Sequence, residues 1–253
     1  MTNRFCVSGL LLLCVVAFLS SAPNAPGQQP SLNAEVLFHR GYAYQKEGRI
    51  DEAIAEYSKA IEMKPDYAEV YNNRGRLYAG KDLIDDAIAD YNRALDINWE
   101  YAEAYNNRGM AYSALGRLDE AIVDYGRAMA IKEEYAEAYN NRGFAYAKKG
   151  MLDEAVADYT SALEINPGFI LALTNRGSAY EEQGLYEEAV ADFTSILAIN
   201  PNYAPAYNNR AIAYFHKKEF DKAWEDIEKA QALGLKVKPE ILDALGRAGG
   251  KKK

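Results

Sequence analysis

Residues 34–237 alternate between segments with a helical hydrophobic period and short polar turns. Within residues 102–135, two triplets of small or aromatic side chains share the spacing i, i+4, i+7. They are Tyr105, Gly109 and Tyr112, followed by Ala121, Tyr125 and Ala128. This spacing places each triplet on one face of a helix. Gly116 lies between the triplets, so the pattern predicts two helices joined by a tight turn.

The two-helix pattern recurs with a period of 34 residues and without insertions. Six repeats follow from this period: 34–67, 68–101, 102–135, 136–169, 170–203 and 204–237. Pro65, Pro167 and Pro201 come after second helices, which a proline cannot continue. Asp66 and Glu69 have the spacing of a capping box at the start of the next helix. The period therefore predicts an array of helix pairs.

Each predicted helix is about a dozen residues long, which is marginal for an isolated helix in water. Stacking of neighbouring repeats must therefore bury the apolar face of each helix. Positions are counted from the first residue of each repeat. Glycine at position 8 then lies opposite alanine at position 20, which allows the two helices of a repeat to approach closely. Eighteen of the 20 tyrosines occupy positions 4, 11, 24 and 34, a packing signature. Residues 238–248 read as a short capping helix, and residues 249–253 as a basic flexible tail.

The sequence of residues 34–237 resembles the tetratricopeptide repeat family. The resemblance rests on the period and on the aromatic, Gly, Tyr, Ala, aromatic, Ala pattern at positions 4, 8, 11, 20, 24 and 27. It implies an all-α fold, a right-handed α-solenoid of stacked antiparallel helix pairs. In that family the first helices line a concave groove, and the solenoids serve protein–protein interaction.

Asparagine dominates positions 5 and 6 of the repeat, which the resemblance places in the groove. The asparagines are Asn72, Asn73, Asn106, Asn107, Asn140, Asn141, Asn175, Asn208 and Asn209. A carboxamide offers both a donor and an acceptor, so a row of them can bind the backbone of an extended peptide. The alternative is that asparagine at position 6 only helps to hold the first helix.

Other groove positions suggest the character of a partner. Position 2 carries an acidic row in the N-terminal half: Glu35, Glu69, Glu103 and Glu137. Position 9 supplies Met110 and Phe144 as an apolar anchor. The hypothesis is a helical or extended partner with basic residues toward the N-terminal half. The alternative is that these glutamates only complement the helix dipole.

Position 7 is arginine and position 23 is acidic in all six repeats. The central members are Arg74 and Asp90, Arg108 and Asp124, Arg142 and Asp158, and Arg176 and Asp192. Because one lies on each helix of a pair, we interpret them as a structural ion-pair ladder.

The formal net charge of −8 argues against nucleic-acid binding, which depends on Lys and Arg. Positions 2, 5 and 6 lack the basic residues with which some members of the family capture chaperone tails. Cys6 and Cys14 are the only cysteines, and both lie in the N-terminal apolar segment. No metal spacing, phosphate loop or nucleophile motif is present. We therefore expect no enzyme activity, no cofactor, no metal and no small-molecule substrate.

Residues 1–27 have the layout of a secretory signal peptide: a short basic start, fifteen apolar residues and a small, Pro-rich end. Residues 28–33 form a linker. The segment could instead remain as an uncleaved membrane anchor, although fifteen residues are short for a span. A lipoprotein signal at Cys14 is a third reading. The sequence therefore predicts export to the periplasm or another extracytoplasmic space, with possible membrane association.

These observations favour a non-catalytic scaffold that binds a peptide or protein partner in the groove. Two alternatives stay open: a self-associating structural protein of the envelope, and a membrane-anchored assembly factor.

Overall fold

A computed structural model describes residues 32–248, and this part of the chain consists of helices and short connections. The predicted signal peptide or anchor (1–27), most of the linker and the basic tail (249–253) lie outside it. Thirteen helices are present in this part of the chain. They are α1 (Ala34–Lys46), α2 (Ile50–Met63), α3 (Ala68–Gly80), α4 (Ile84–Ile97), α5 (Ala102–Ala114), α6 (Leu118–Ile131), α7 (Ala136–Lys148), α8 (Leu152–Ile165), α9 (Ile170–Gln183), α10 (Tyr186–Ile199), α11 (Ala204–His216), α12 (Phe220–Ala232) and α13 (Pro239–Arg247). Odd-numbered helices from α1 to α11 are the first helices of the repeats, and each begins at position 1.

The capping box expected at Asp66 does not form. Tyr67 is the N-cap residue of α3, and no side chain caps this helix. Only α1 has a side-chain cap among the described helices, where Asn33 Oδ1 accepts a hydrogen bond of 2.8 Å from the Val36 amide. Before each of the other first helices, the aromatic residue at position 34 packs against the stack. Tyr135, which precedes α7, is buried.

The turn inside each pair depends on a left-handed residue at position 15. Glycine takes this conformation in four repeats, with φ from 72° to 76°. Asp82 and Lys218 occupy the same position in repeats two and six, with φ of 63° and 64°. Glycine adopts the left-handed conformation without a steric cost, whereas a residue with a Cβ atom pays one.

The two helices of a pair approach closely where glycine meets the ring at position 24. A Cβ atom on Gly109 would lie 2.7 Å from Cε1 of Tyr125. Gly75 and Gly143 have the same relation to Tyr91 and Tyr159. Position 8 therefore has no room for a side chain in these repeats.

Successive pairs stack so that each second helix packs against the following first helix. Leu163 of α8, Leu173 of α9 and Leu197 of α10 meet in one buried cluster, which joins repeats four and five. First helices from α3 to α11 also contact one another directly, and no comparable contact joins successive second helices in residues 32–248. The first helices therefore form the inner, concave side of an α-solenoid.

Helix α13 closes the C-terminal end of the stack. Leu245 is fully buried against Trp224 and Ile227 of α12, with Ile241 and Leu242 packed beside it. Helix α13 lies within residues 238–248, where the sequence analysis places a capping helix. In residues 32–248, no helix has the length and apolar character needed to cross a bilayer.

Candidate functional site

The groove is lined by the exposed and half-buried side chains at positions 2, 6, 9 and 13 of the first helices. The acidic row is exposed as expected from the sequence: Glu35, Glu69, Glu103 and Glu137. Burial raises the pKa of Tyr101 to about 12, and the charges of Glu69 and Glu103 contribute. The N-terminal half of the groove is therefore lined by carboxylates along one edge.

Position 5 differs from the sequence-based expectation, because its asparagines are not in the open groove. Asn72, Asn106 and Asn140 are only 3%, 5% and 2% exposed. Each oxygen accepts a hydrogen bond of 2.9–3.0 Å from the position-6 asparagine of the next repeat. The carboxamide is buried because its partner satisfies it there, and a buried polar group without a partner is costly.

The position-6 asparagines are half-buried at the groove surface. Asn107 donates to Asn72, Asn141 to Asn106 and Asn175 to Asn140. Each bond fixes one amide N–H, which leaves a second N–H and the oxygen oriented by the bond.

The end repeats lack this inter-repeat bond for identifiable reasons. In the repeat before Asn73, position 5 is Phe38, which has no oxygen to accept. In the repeat before Asn209, position 5 is Thr174, whose hydroxyl donates to the Ile170 carbonyl. Asn208 has no later repeat to accept from, and its amide approaches Asn209 at 3.3 Å. The asparagine pairs therefore join only repeats two to five.

Met110 and Phe144 are exposed on the groove face, at 51% and 42%. They lie at equivalent positions of α5 and α7, where Asn106 Nδ2 approaches the Met110 sulfur at 3.7 Å and the Lys148 ammonium lies 5.3 Å from the centre of the Phe144 ring. Tyr42 and Leu171 add exposed apolar surface on α1 and α9. The groove thus combines an acidic edge with an apolar centre.

The arginines at position 7 and the carboxylates at position 23 pair across the two helices of each repeat. In repeats two to six the guanidinium donates two hydrogen bonds to both carboxylate oxygens, at 2.7–2.9 Å. Burial lowers the pKa of Arg108, but the hydrogen bond and charge of Asp124 outweigh it and raise that pKa overall. These bidentate pairs link the two helices of each repeat.

The same arginines also connect successive repeats. A third nitrogen reaches position 25 of the preceding second helix: Arg74 to Ser58, Arg108 to Asn92, Arg176 to Thr160 and Arg210 to Thr194, at 2.6–3.0 Å. Gly126 occupies that position before Arg142 and offers no side chain to accept. Arg40, with no repeat before it, is 49% exposed and makes a single contact of 3.3 Å with Glu56.

Position 12 of the first helix determines what the buried tyrosine hydroxyl at position 24 meets. In repeat one, Tyr57 donates to Gln45 Oε1 at 2.9 Å. In repeat three, a hydrogen bond from Ser113 lowers the pKa of Tyr125 against the effect of burial. Repeat five reverses the arrangement, because Phe193 replaces the tyrosine while Glu181 stands at position 12. Glu181 Oε1 is buried with no hydrogen-bond partner in residues 32–248.

Glu181→Gln is expected to stabilise the fold at pH 8 and to have no effect at pH 4. Burial raises the pKa of Glu181 from 4.5 to about 7. Between these values the unfolded chain loses its proton first, so ionisation costs stability as pH rises, and the cost is complete above pH 7. The side chain is partly solvated, so we expect about 1–2 kcal/mol from denaturant unfolding curves at the two pH values.

Glu182→Gln is the matched control for Glu181→Gln, because Glu182 is exposed on the same helix. Phe193→Tyr places a hydroxyl near Glu181 that can donate to its carboxylate. It is therefore also expected to raise the free energy of unfolding at pH 8. Equal unfolding free energies for wild type and Glu181→Gln at both pH values would contradict the assignment of a buried, unpartnered carboxyl.

No three His, Cys, Asp or Glu side chains in residues 32–248 converge at the distance of metal ligands. The arrangement is that of a binding surface: exposed apolar groups, oriented amides and an acidic edge, held on rigid stacked helices.

Comparison with known proteins identifies the class. Family models described as tetratricopeptide repeats match residues 41–82, 84–116 and 109–150, 136–169 and 170–203, 193–225 and 68–98. The chain therefore belongs to the tetratricopeptide repeat family, whose fold is typical of protein–protein interaction.

Solved structures with this fold include MamA, which is 33% identical with a TM-score of 0.60, covering 65% of this chain and 96% of that one. YrrB, described as a TPR protein with an unusual peptide-binding site, is 25% identical with a TM-score of 0.61, covering 76% and 96%. PilW, described as a widely conserved type IV pilus biogenesis factor, is 21% identical with a TM-score of 0.74, covering 84% and 98%. The last likeness is one of fold. No curated protein matches the sequence significantly.

Proposed function

We propose that this protein is a non-catalytic scaffold that binds a peptide segment of a partner protein in its groove. The observation that carries the proposal is the exposure of Met110 and Phe144 on the groove face. Large apolar side chains clustered on one exposed face mark interaction surfaces. Membership of a family of interaction scaffolds supports it, and so does the peptide-binding site of the structurally similar YrrB.

The asparagine ladder takes part in this binding through position 6 only. Asn107, Asn141 and Asn175 each keep one N–H for the backbone of a bound segment. The oxygens of Asn107 and Asn175 can accept from it as well, whereas that of Asn141 accepts from Asn140 at 3.4 Å. The buried asparagines at position 5 serve by orienting them, because each accepts the other N–H. An extended peptide with its backbone along this row would place alternate side chains toward Met110 and Phe144.

A crosslinking pull-down from the native envelope tests the groove. The bait is the full chain, compared with Met110→Ser/Phe144→Ser and with the control Val123→Ser. Val123 is 56% exposed on α6, away from the groove. A partner lost only with the double variant supports groove binding.

Two other outcomes would contradict groove binding. Loss of the partner only with Val123→Ser would move the site to the second-helix surface. Capture of the protein itself by all three baits would favour the self-associating alternative. Melting temperatures of the baits establish that each variant is folded.

We further propose that the chain acts after export, since residues 1–27 carry the signal-like pattern. Fractionation of cells followed by N-terminal sequencing separates the cleaved, anchored and lipoprotein readings. Intact chain in the cytoplasm would contradict all three.

A further inference from the structure

Two pockets open in the groove at the repeats where position 12 is alanine. Ala79 of repeat two and Ala147 of repeat four each line one. In repeats one and three, Gln45 and Ser113 occupy the equivalent position, and Gln45 accepts a hydrogen bond of 2.9 Å from the Tyr57 hydroxyl. The pockets therefore exist because a methyl group replaces a polar side chain above a buried tyrosine.

The larger cavity, which we call the Tyr91 pocket, has a volume of about 370 Å³ and lies between α3 and α5. Tyr91 packs its ring against Gly75 as Tyr57 packs against Gly41. Its hydroxyl is therefore directed at position 12, where Ala79 offers no acceptor. No side chain in residues 32–248 accepts a hydrogen bond from it. The small residues Gly80 and Ala114 keep the entrance open.

Polar and apolar groups converge on this pocket from different sides. Arg76 lines it from α3, and no carboxylate of the described chain lies within ion-pair distance of its guanidinium. Asn107 lines it from α5 and is held by its bond to Asn72. Ile84 and Met110 supply apolar walls. The set offers a hydroxyl donor and a cation around an apolar entrance, while the remaining N–H of Asn107 serves the peptide backbone.

We propose that the Tyr91 pocket binds the side-chain carboxylate of a glutamate in the partner peptide. This inference rests on the groove-binding function proposed above and adds the chemistry of one side chain. Gln45 is the internal template, since its oxygen accepts from Tyr57 at 2.9 Å after the same number of side-chain carbons. Arg76 makes the ligand a carboxylate in preference to a carboxamide, because a charge-assisted bond is stronger than a neutral one.

The acidic row does not repel a glutamate bound in the Tyr91 pocket, because the row lies at the N-terminal ends of the first helices. Glu69 and Arg76 are seven residues apart on α3, which separates them by about 10 Å along the axis. A peptide crossing the groove can thus present a basic residue to the acidic edge and a glutamate to the Tyr91 pocket.

The second cavity, the Tyr159 pocket, provides a built-in comparison. It is smaller, about 190 Å³, and lies between α7 and α9 with Asn175 in the place of Asn107. Both Lys148 and Glu182 line it, so its charges offset each other. The same tyrosine chemistry is present there without a net positive charge, and we expect no preference for a carboxylate.

The test is an NMR titration of the isotope-labelled full chain with N-acetyl-L-glutamate amide, which carries one carboxylate on its side chain. Amide shifts are expected at Ala79, Gly80, Met110 and Ala114, with much smaller shifts for N-acetyl-L-glutamine amide. Tyr91→Phe and Arg76→Gln are each expected to weaken binding about fivefold to tenfold. Tyr159→Phe is the matched control and leaves binding unchanged, since Phe193 shows that the fold accepts phenylalanine at position 24.

Equal shifts for the two probes, or equal affinity in Tyr91→Phe and Tyr159→Phe, would overturn the pocket assignment. The result is independent of the pull-down. A partner lost from the Met110→Ser/Phe144→Ser bait without glutamate binding would leave groove binding standing and refute the pocket. Glutamate binding with no groove-dependent partner would refute the proposed function instead.

Discussion

Asp124→Ala is expected to lower the free energy of unfolding by about 3–5 kcal/mol. The substitution leaves the guanidinium of Arg108 without the two hydrogen bonds of 2.7 and 2.8 Å that Asp124 accepts. The side chains of Asp124 and Arg108 are 4% and 17% exposed, so water cannot fully replace the carboxylate. Urea unfolding followed by circular dichroism measures the change.

Asp119→Ala on the same helix is the matched control for Asp124→Ala. Asp119 also pairs with a cation, Lys149, but its side chain is 82% exposed. A surface pair contributes about 0–1 kcal/mol, so the control is expected to stay near wild type. Similar unfolding midpoints for the two variants would show that the buried pair contributes no more than a surface one.

Gly109→Val is the second substitution with a large expected effect, a loss of about 2–3 kcal/mol. The first added carbon would lie 2.7 Å from the ring of Tyr125, which is itself buried. The ring would have to move away from α5, or the two helices would have to separate. Thermal unfolding of the variant measures the loss.

Gly126→Ala tests whether the effect of Gly109→Val comes from packing or from glycine itself. Gly126 lies in the middle of α6, and its nearest neighbour for a new Cβ is an Arg142 nitrogen at 3.8 Å. Alanine there is expected to stabilise by up to about 1 kcal/mol, through helix propensity alone.

In repeat six, a larger residue at position 8 is accompanied by a smaller residue at position 24. Ala211 replaces the glycine and Ile227 replaces the ring, and both are fully buried. Gly109→Ala/Tyr125→Ile copies that pair and is expected to lose less stability than the sum of the single changes. Additive losses would contradict the proposed contact.

The fold was predictable because the same sequence pattern recurs in six successive repeats. Period, glycine at position 8 and the ring at position 24 all agree, and consistent local signals of this kind specify a fold. The Arg–Asp pairs also follow from spacing, since one residue lies on each helix of a pair. The capping box predicted at Asp66 was wrong, because Tyr67 is the N-cap residue of α3 and no side chain caps this helix.

The asparagines show where the sequence reading was incomplete. Positions 5 and 6 are adjacent, and a helix turns by about 100° between them, so they cannot share one face equally. The useful signal was a spacing of 35 residues between Asn72 and Asn107, which joins position 5 to position 6 of the next repeat. The hydrogen bond joins neighbouring repeats, so the pattern within a single repeat does not reveal it.

The pockets could not be predicted from the pattern that defines the fold. Position 12 is not part of that pattern, so its alternation between Gln45, Ala79, Ser113 and Ala147 looks like ordinary variation. Its meaning depends on where the hydroxyl at position 24 points, which is a property of packing across the helix pair. A substitution that leaves the fold unchanged can therefore open or close a binding site.

The polar links between repeats have a mechanical consequence. The junctions of repeats two with three and four with five carry both an asparagine pair and an arginine link, and the other three junctions carry one of the two. The Tyr91 and Tyr159 pockets lie at the two doubly linked junctions. At the junction of repeats three and four, Gly126 offers Arg142 no acceptor, and the polar links are the asparagine pair and the exposed Lys149–Asp119 ion pair. This junction lies between the two pockets, so bending there would change the distance between them without altering the shape of either one.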